Sequence, residues 1–274
     1  MKKLVRDLAR RVGAFSTALC CAVCMSGCTG LSAGKLLDEA AEQLHNVSSS
    51  ANYVEVAIQL EDVLELREVN LEMTIENTTE PPAGHAGGRA SVNIRDAEVE
   101  ADLEIYQVVE DGEYVTYSSI DGNWEKEVSE TAAENHLGLD GNIFAREGEA
   151  MESFHLSKEP VTVEGKECYQ MYGEVTGEEL MGLLGKDMIN AFGLVDLPSE
   201  EAVRELNIPV IFDLYRDEML PARIHVNMSE VLNELYDSFG ETTKVNLYSI
   251  ELVFTDYDKV EPIEVPEEVK NAAA

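Results

Sequence analysis

The sequence has few of the covalent features that often stabilise small exported domains. Five cysteines occur in 274 residues, and four of them lie within the first 28 positions, which leaves Cys168 alone in the rest of the chain. A single thiol cannot form an internal disulfide, so packing alone must hold the core. Cys168 lies in an alternating stretch, and this pattern predicts a buried, unreactive strand residue.

The patterns of an enzyme active site are also missing. The five histidines are widely separated and have no metal-ligand spacing: His45, His85, His136, His155 and His225. Beyond residue 28 there is no Gly-x-Ser-x-Gly, phosphate-binding glycine loop or Cys-x-x-Cys. Acidic pairs are abundant, but chance supplies them in a chain of this composition. We therefore predict a protein that is not an enzyme and has no cofactor and no metal.

Positive charge is scarce. The chain has 20 Lys and Arg against 54 Asp and Glu, a formal net charge of −34. Such a surface repels phosphate backbones, so no nucleic acid is expected as a partner. Solubility explains this acidity. Attraction of cations or of a basic protein is the alternative explanation, but no localised site supports it. The protein partner is unknown from the sequence, and a monomer is expected.

Long apolar runs are limited to the N-terminus. Residues 12–24 are uncharged and follow five basic residues. This run has the length of the apolar part of a secretory signal and is too short to span a bilayer. The run leads into Met25-Ser26-Gly27-Cys28, which resembles the lipobox of bacterial lipoproteins. This resemblance implies cleavage before Cys28, a diacylglyceryl anchor on its sulfur and an extracytoplasmic chain held at the cell membrane. An ordinary secretory signal with a chance cysteine is the alternative.

After this region the pattern is first helical and then alternates with period two. Leu36, Ala40 and Leu44 have the spacing of an amphipathic helix with Ser32 as a cap. Further helices are predicted from Leu180 to Phe192, after Ser199, and from Ser229 to Phe239. Strands with one wet face are predicted at 54–60, 69–75, 90–94, 99–105, 114–117, 154–156, 161–163, 167–175, 208–215, 222–228 and 245–254.

Three segments lack a clear pattern. Residues 77–88 contain Pro81-Pro82 and three glycines, which predict a mobile loop. Residues 129–149 are interpreted as short helices and loop, and the tail after Pro266 is predicted to fray. The predicted organisation is a signal peptide (1–27), a lipidated N-terminus and short tether (28–34), one α+β domain with an antiparallel sheet (35–265) and a frayed tail (266–274).

Several stretches, taken in order, resemble the LolA/LppX-like lipoproteins of bacterial envelopes. They are residues 36–40 leading into 47–49, then 121–126, 173–180, 215–223, 254–257 and 265–268. The resemblance implies a strongly curved antiparallel sheet, a half-barrel, with helices covering its concave face and an apolar cavity between them. Characterised members use this cavity to carry lipids or lipid anchors. The 77–88 stretch, the 229–239 helix and the acidity depart from the family pattern.

If the sheet is a half-barrel, one apolar face of its strands and one face of the 180–192 helix enclose the candidate ligand-binding residues. These are Val54, Val56, Ile58, Leu60, Leu71, Met73, Ile75, Leu180, Leu184, Met188 and Phe192. The alternative is that the same residues form an ordinary filled core. Two functions therefore stay open: binding or carrying a lipid or other hydrophobic ligand, or an envelope structural or protein-interaction lipoprotein without a ligand.

Overall fold

One antiparallel sheet organises the fold. The computed structural model describes residues 31–63, 65–95, 97–129, 154–184, 189, 191, 195, 197 and 199–273. Its strands are β1 (Ser49–Glu61), β2 (Leu66–Thr79), β3 (Pro82–Ile94), β4 (Ala97–Glu110), β5 (Glu113–Ile120), β6 (Asn123–Ser129), β7 (His155–Leu156), β8 (Val161–Val163), β9 (Lys166–Thr176), β10 (Asn207–Tyr215), β11 (Pro221–Asn227) and β12 (Lys244–Tyr257).

The strand order places the first and last strands side by side in the middle of the sheet. The order is β6-β5-β4-β3-β2-β1-β12-β11-β10-β9-β7, and β8 pairs with β9. Hairpins join β1 through β6, so these six strands form a meander. Within the described residues no pairing joins β6 to β7, and the sheet is therefore open.

Helices cover both faces of the sheet, but unequally. They are α1 (Ala33–Leu44), α2 (Gly177–Leu184), α3 (Glu200–Arg204), α4 (Ser229–Phe239) and α5 (Glu267–Ala272). Helices α1 to α4 pack with Val54, Val56 and Ile58 in one large cluster on the concave face, here called the inner face. Helix α5 packs on the opposite, outer face. The predicted α+β half-barrel with helices on its concave face is confirmed.

Local capping fixes where several helices begin and end. The Thr176 amide donates to Glu179 Oε2 at 2.6 Å and the Glu179 amide donates to Thr176 Oγ1 at 3.2 Å, the reciprocal pair of a capping box. Ser199 accepts from the Ala202 amide at 3.2 Å to start α3. Gly240 ends α4 in the left-handed region at φ 73°. These three boundaries follow directly from the sequence.

The loop predicted at 77–88 is wrong, because most of it forms the hairpin of β2 and β3. The turn is confined to Glu80 and Pro81, and Pro82 opens β3, where a strand tolerates proline. Gly88 is required by a close approach, since a Cβ there would lie 2.0 Å from the Glu72 carbonyl oxygen. Gly88 therefore marks a close approach of two backbones, and the glycines of this stretch lie within a strand and not in a loop.

The prediction of a frayed C-terminal tail is also wrong. Residues 267–272 form α5, and Val265 and Val269 are 8% and 5% exposed. They pack with Tyr106, Val115 and Tyr117 on the outer face of β4 and β5. The composition of the tail gives no indication of this contact, because its apolar partners lie about 150 residues earlier in the chain. The predictions for residues 1–28 and for 130–149 lie outside the described residues.

Candidate functional site

The structure brings together nine of the eleven predicted ligand-binding residues. All nine belong to the inner-face cluster, with exposures from 0% to 9%: Val54, Val56, Ile58, Leu60, Leu71, Met73, Ile75, Leu180 and Leu184. Met188 and Phe192 lie outside the described residues, as does Cys28. The grouping of these side chains on one face is therefore observed, whereas contact with a ligand stays a prediction.

The register between β1 and β2 explains the grouping. Val54 lies opposite Met73, and Val56 lies opposite Leu71. Residues directly opposite in an antiparallel pair share a face, so the two alternating patterns fall on the same side of the sheet. On the other neighbour of β1, Ile250 of β12 lies opposite Val56 and extends the apolar face further.

The inner face continues beyond this cluster into an apolar strip. Five apolar residues define this strip, and the register from β2 across to β5 places their side chains on the inner face: Val92, Val99, Leu103, Ile105 and Ile120. Three of them, Val92, Leu103 and Ile105, are half-buried against the cluster. By contrast, Val99 is 63% exposed and Ile120 is 59% exposed. On this face the apolar side chains are therefore buried in the core and become increasingly exposed toward Val99 and Ile120.

Sequence reasoning missed the strip as part of the site. The alternation of Val99, Leu103 and Ile105 is visible in the sequence, but which face it occupies depends on the register with β3. Val92 lies opposite Val99, and Gly88 lies opposite Leu103. A period-two pattern followed strand by strand through the predicted hairpins could have assigned this face, had 82–88 been interpreted as a strand.

The centre of the inner face also contains a buried tyrosine. Tyr248 lies opposite Ile58 and is fully buried. Its hydroxyl donates to the carbonyl of Ile189. Burial raises the pKa of this phenol well above its usual value, so Tyr248 stays neutral and acts as a structural hydrogen-bond donor.

The outer face carries charged and thiol groups whose partners are internal. Asp213 is fully buried, and its Oδ2 accepts from Arg223 Nε and Nη2, both at 2.7 Å. Gln170 donates to the other oxygen at 3.1 Å. This carboxylate is satisfied and serves the fold. Burial raises the pKa of the Cys168 thiol to about 11, which agrees with the predicted unreactive cysteine.

Two surface depressions lie away from the predicted residues. One has a volume of about 490 Å³ beside His155, Tyr172 and His225. The other has a volume of about 380 Å³ between His85 and residues 259–264. None of the nine described candidate residues lines either depression, so the predicted apolar cavity stays a prediction.

No group of three or more His, Cys, Asp or Glu side chains in the described ranges is arranged to hold a metal ion. In the same part of the chain, no helix combines the length and the apolar character needed to cross a bilayer.

Comparison with known proteins gives similarities at low sequence identity. LprF from Mycobacterium bovis is 11% identical with a TM-score of 0.49, over 86% of this chain and 96% of that one. The Mycobacterium tuberculosis lipoprotein LppX is 12% identical with a TM-score of 0.39, over 84% and 98%. A putative outer membrane lipoprotein-sorting protein domain from Vibrio parahaemolyticus is 10% identical with a TM-score of 0.27, over 88% and 99%.

The similarity to LolA/LppX-like lipoproteins expected from the sequence is thus also found among solved structures. No curated protein matches the chain. Residues 32–274 match a family of unknown function, DUF6612, and the chain belongs to that family.

Proposed function

We propose that this protein is a non-catalytic lipoprotein of the cell envelope that binds a lipid or another hydrophobic ligand on the inner face of its sheet. The observation that carries the proposal is the apolar strip, which is accessible and continuous with the buried core. The proposed anchor is a diacylglyceryl group on Cys28, which would hold the domain outside the cytoplasm at a membrane surface.

The composition of strand β4 supports a binding role for the strip. Its outer-face positions are acidic: Glu98, Glu100, Asp102 and Glu104. The alternate, inner-face positions are apolar even where they are accessible, as at Val99. A chain with a net charge of −34 has many acidic residues, yet they are absent from these positions. Accessible apolar surface of this kind is typical of a binding site.

Ligand binding would stabilise this arrangement by removing the strip from water. Burial of apolar surface contributes about 25 cal/mol per Å², so an acyl chain that lies along β4 and contacts Ile120 of β5 is stabilised without any charged group. The half-buried Leu103 and Ile105 connect such a chain to the closed part of the core. The predicted ligand-binding residues Leu71, Met73 and Ile75 lie on the same face two strands away.

The proposal is tested with residues 29–274 produced in a bacterial host. Native mass spectrometry should show a co-purifying lipid, and added acyl ligand should raise the melting temperature of delipidated protein. The double variant Val99→Asn/Ile120→Asn should lose both effects and stay folded. Val128→Asn is the matched control, because Val128 is a 49% exposed valine of the same meander on the outer face.

A folded protein that carries no lipid and gains no thermal stability from acyl ligands would contradict the proposal. It would favour the alternative of a structural or protein-interaction lipoprotein. The anchor is tested separately: Cys28→Ala in the full chain should move the protein from the membrane fraction to the soluble fraction.

A further inference from the structure

Asn52 is a polar side chain at the buried end of the inner face. It lies on β1 with Phe254 of β12 opposite on one side and Ile75 of β2 on the other. Both neighbours belong to the inner-face cluster. A register shift between Ala51 and Asn52 interrupts the pairing with β12. Such irregularities re-aim single side chains and are common beside binding sites.

The side-chain oxygen of Asn52 has no hydrogen-bond partner among the described residues. The residue is 3% exposed, and its Oδ1 is buried without a hydrogen bond. Burying an unpaired amide oxygen costs about 1–3 kcal/mol, so such an atom normally has a protein or water donor. A leucine would fill a similar volume without this cost. An asparagine at this position therefore fits an interior that receives a donor from outside the chain.

One row of cross-strand neighbours connects Asn52 to the apolar strip. From Asn52 the row passes through Ile75 on β2 and Ala86 on β3 to Ile105 on β4. Three strand separations, about 14 Å, lie between its ends. Ile75, Ala86 and Ile105 are all apolar. Ile75 and Ala86 are 2% and 0% exposed and Ile105 is half-buried, so a long acyl chain with its polar end at Asn52 follows the row only when the cover over Ile75 and Ala86 opens.

We propose that Asn52 accepts a hydrogen bond from the polar end of an uncharged long-chain lipid, such as a fatty alcohol or an acylglycerol with a free hydroxyl. This inference rests on the proposed function and specifies its ligand class. Phe254 and the row from Asn52 to Ile105 contain no basic side chain to neutralise an anionic head group. Burial of a carboxylate or phosphate without a counter-charge is strongly unfavourable, and the acidity of the chain adds to this cost.

The test is a double-mutant cycle between Asn52 and the ligand hydroxyl. The probes are oleyl alcohol, which donates a hydrogen bond, and oleyl methyl ether, which does not; displacement of Nile red from residues 29–274 measures both affinities. The unmodified protein should prefer the alcohol by about 3- to 10-fold, the usual value of one net hydrogen bond. Oleate should bind more weakly than the alcohol. In Asn52→Leu the preference for the alcohol over the ether should disappear.

Two comparisons keep the outcome interpretable. Asn70→Leu alters an exposed asparagine on the outer face of β2 and should keep the preference. Asn52→Leu should also melt at a higher temperature without ligand, because it removes an unpaired buried oxygen; this shows that the variant folds. An equal preference in Asn52→Leu and the unmodified protein, or no preference in either, overturns the inference. Failure of both probes to bind the folded, unmodified protein overturns the proposed function as well.

Discussion

Strands β1, β2 and β12 form one half of the covered inner face and β4 and β5 form the other, and the two halves bury their alternating patterns differently. Around β1, β2 and β12, inner-face residues are buried beneath helices α1 to α4, and Val56 and Ile58, for example, are 0% and 1% exposed. In the meander of β4 and β5, Val99 and Ile120 lie on the same face and are about 60% exposed. The meander is instead covered on its outer face, by the C-terminal segment and α5.

This difference shows that alternation specifies a face, whereas burial depends on what covers it. Both halves satisfy the period-two rule of a strand with one wet face. In the first half the inner side is closed by the chain itself. In the second half β4 and Ile120 of β5 keep apolar residues on the inner side while some of these are accessible, and the outer side has a small core of its own. The ligand-binding proposal rests on that contrast.

The largest expected effect comes from truncating the same residue type in the two halves. Ile58→Ala removes a buried side chain and should lower the free energy of unfolding by about 2–5 kcal/mol. Ile120→Ala changes an accessible side chain on the same face and should stay within about 0.5 kcal/mol of the unmodified protein. Denaturant unfolding of delipidated protein measures both. Similar losses in the two variants would show that the strip is part of the closed core.

A smaller effect is expected where β3 closely approaches β2, between the two halves. In Gly88→Ala the new Cβ would lie 2.0 Å from the Glu72 oxygen and 2.7 Å from Met73 Cα, both backbone atoms that cannot easily move. We expect a loss of about 1–3 kcal/mol in the free energy of unfolding. Gly87→Ala is the matched control, because its Cβ would meet only the His85 ring at 3.9 Å. Equal melting temperatures for the two variants would contradict the close approach of β3 to β2.

The sequence was sufficient for most of the fold because most of its elements are locally encoded. The Thr176–Glu179 capping box and Gly240 mark helix ends through contacts within a few residues. The wrong prediction at 77–88 has a non-local cause. Position 88 requires glycine because the backbone of β2 lies close to it. Composition alone cannot distinguish a glycine required by such a contact from a glycine in a loop. The tail was mispredicted for the same reason, since Val269 is buried only by strands distant in the sequence.

The candidate site was also predictable only in part. The residues of β1 and β2 and of helix α2 follow from their periodicity, and the structure places them together. The strip required the register through β3. Asn52 was not predictable, because an asparagine in an alternating strand gives no indication that its side-chain oxygen is buried between Phe254 and Ile75 with no partner in the described part of the chain.

The smallest expected effect concerns how α5 is held on the outer face of the meander. Lys270 Nζ lies 2.9 Å from Glu110 Oε1, and Tyr117 donates to Glu110 Oε2 at 3.0 Å. The hydrogen bond from Lys270 is the main cause that lowers the pKa of Glu110, against the opposing effect of partial burial. The folded protein therefore binds this proton less strongly than the unfolded chain. The resulting stability is present above the ordinary glutamate pKa and is lost as the pH falls through the folded value.

The single tryptophan, Trp124, packs in the same outer-face cluster and reports on this contact. Acid titration of its fluorescence should show a transition that Lys270→Ala shifts to higher pH, because Glu110 then regains a more ordinary pKa. Lys166→Ala, which breaks a similar 2.8 Å pair with Glu218 far from the meander, should leave the midpoint unchanged. If Lys270→Ala also leaves it unchanged, the outer core alone holds α5, and the two halves of the sheet differ only in which apolar residues cover them.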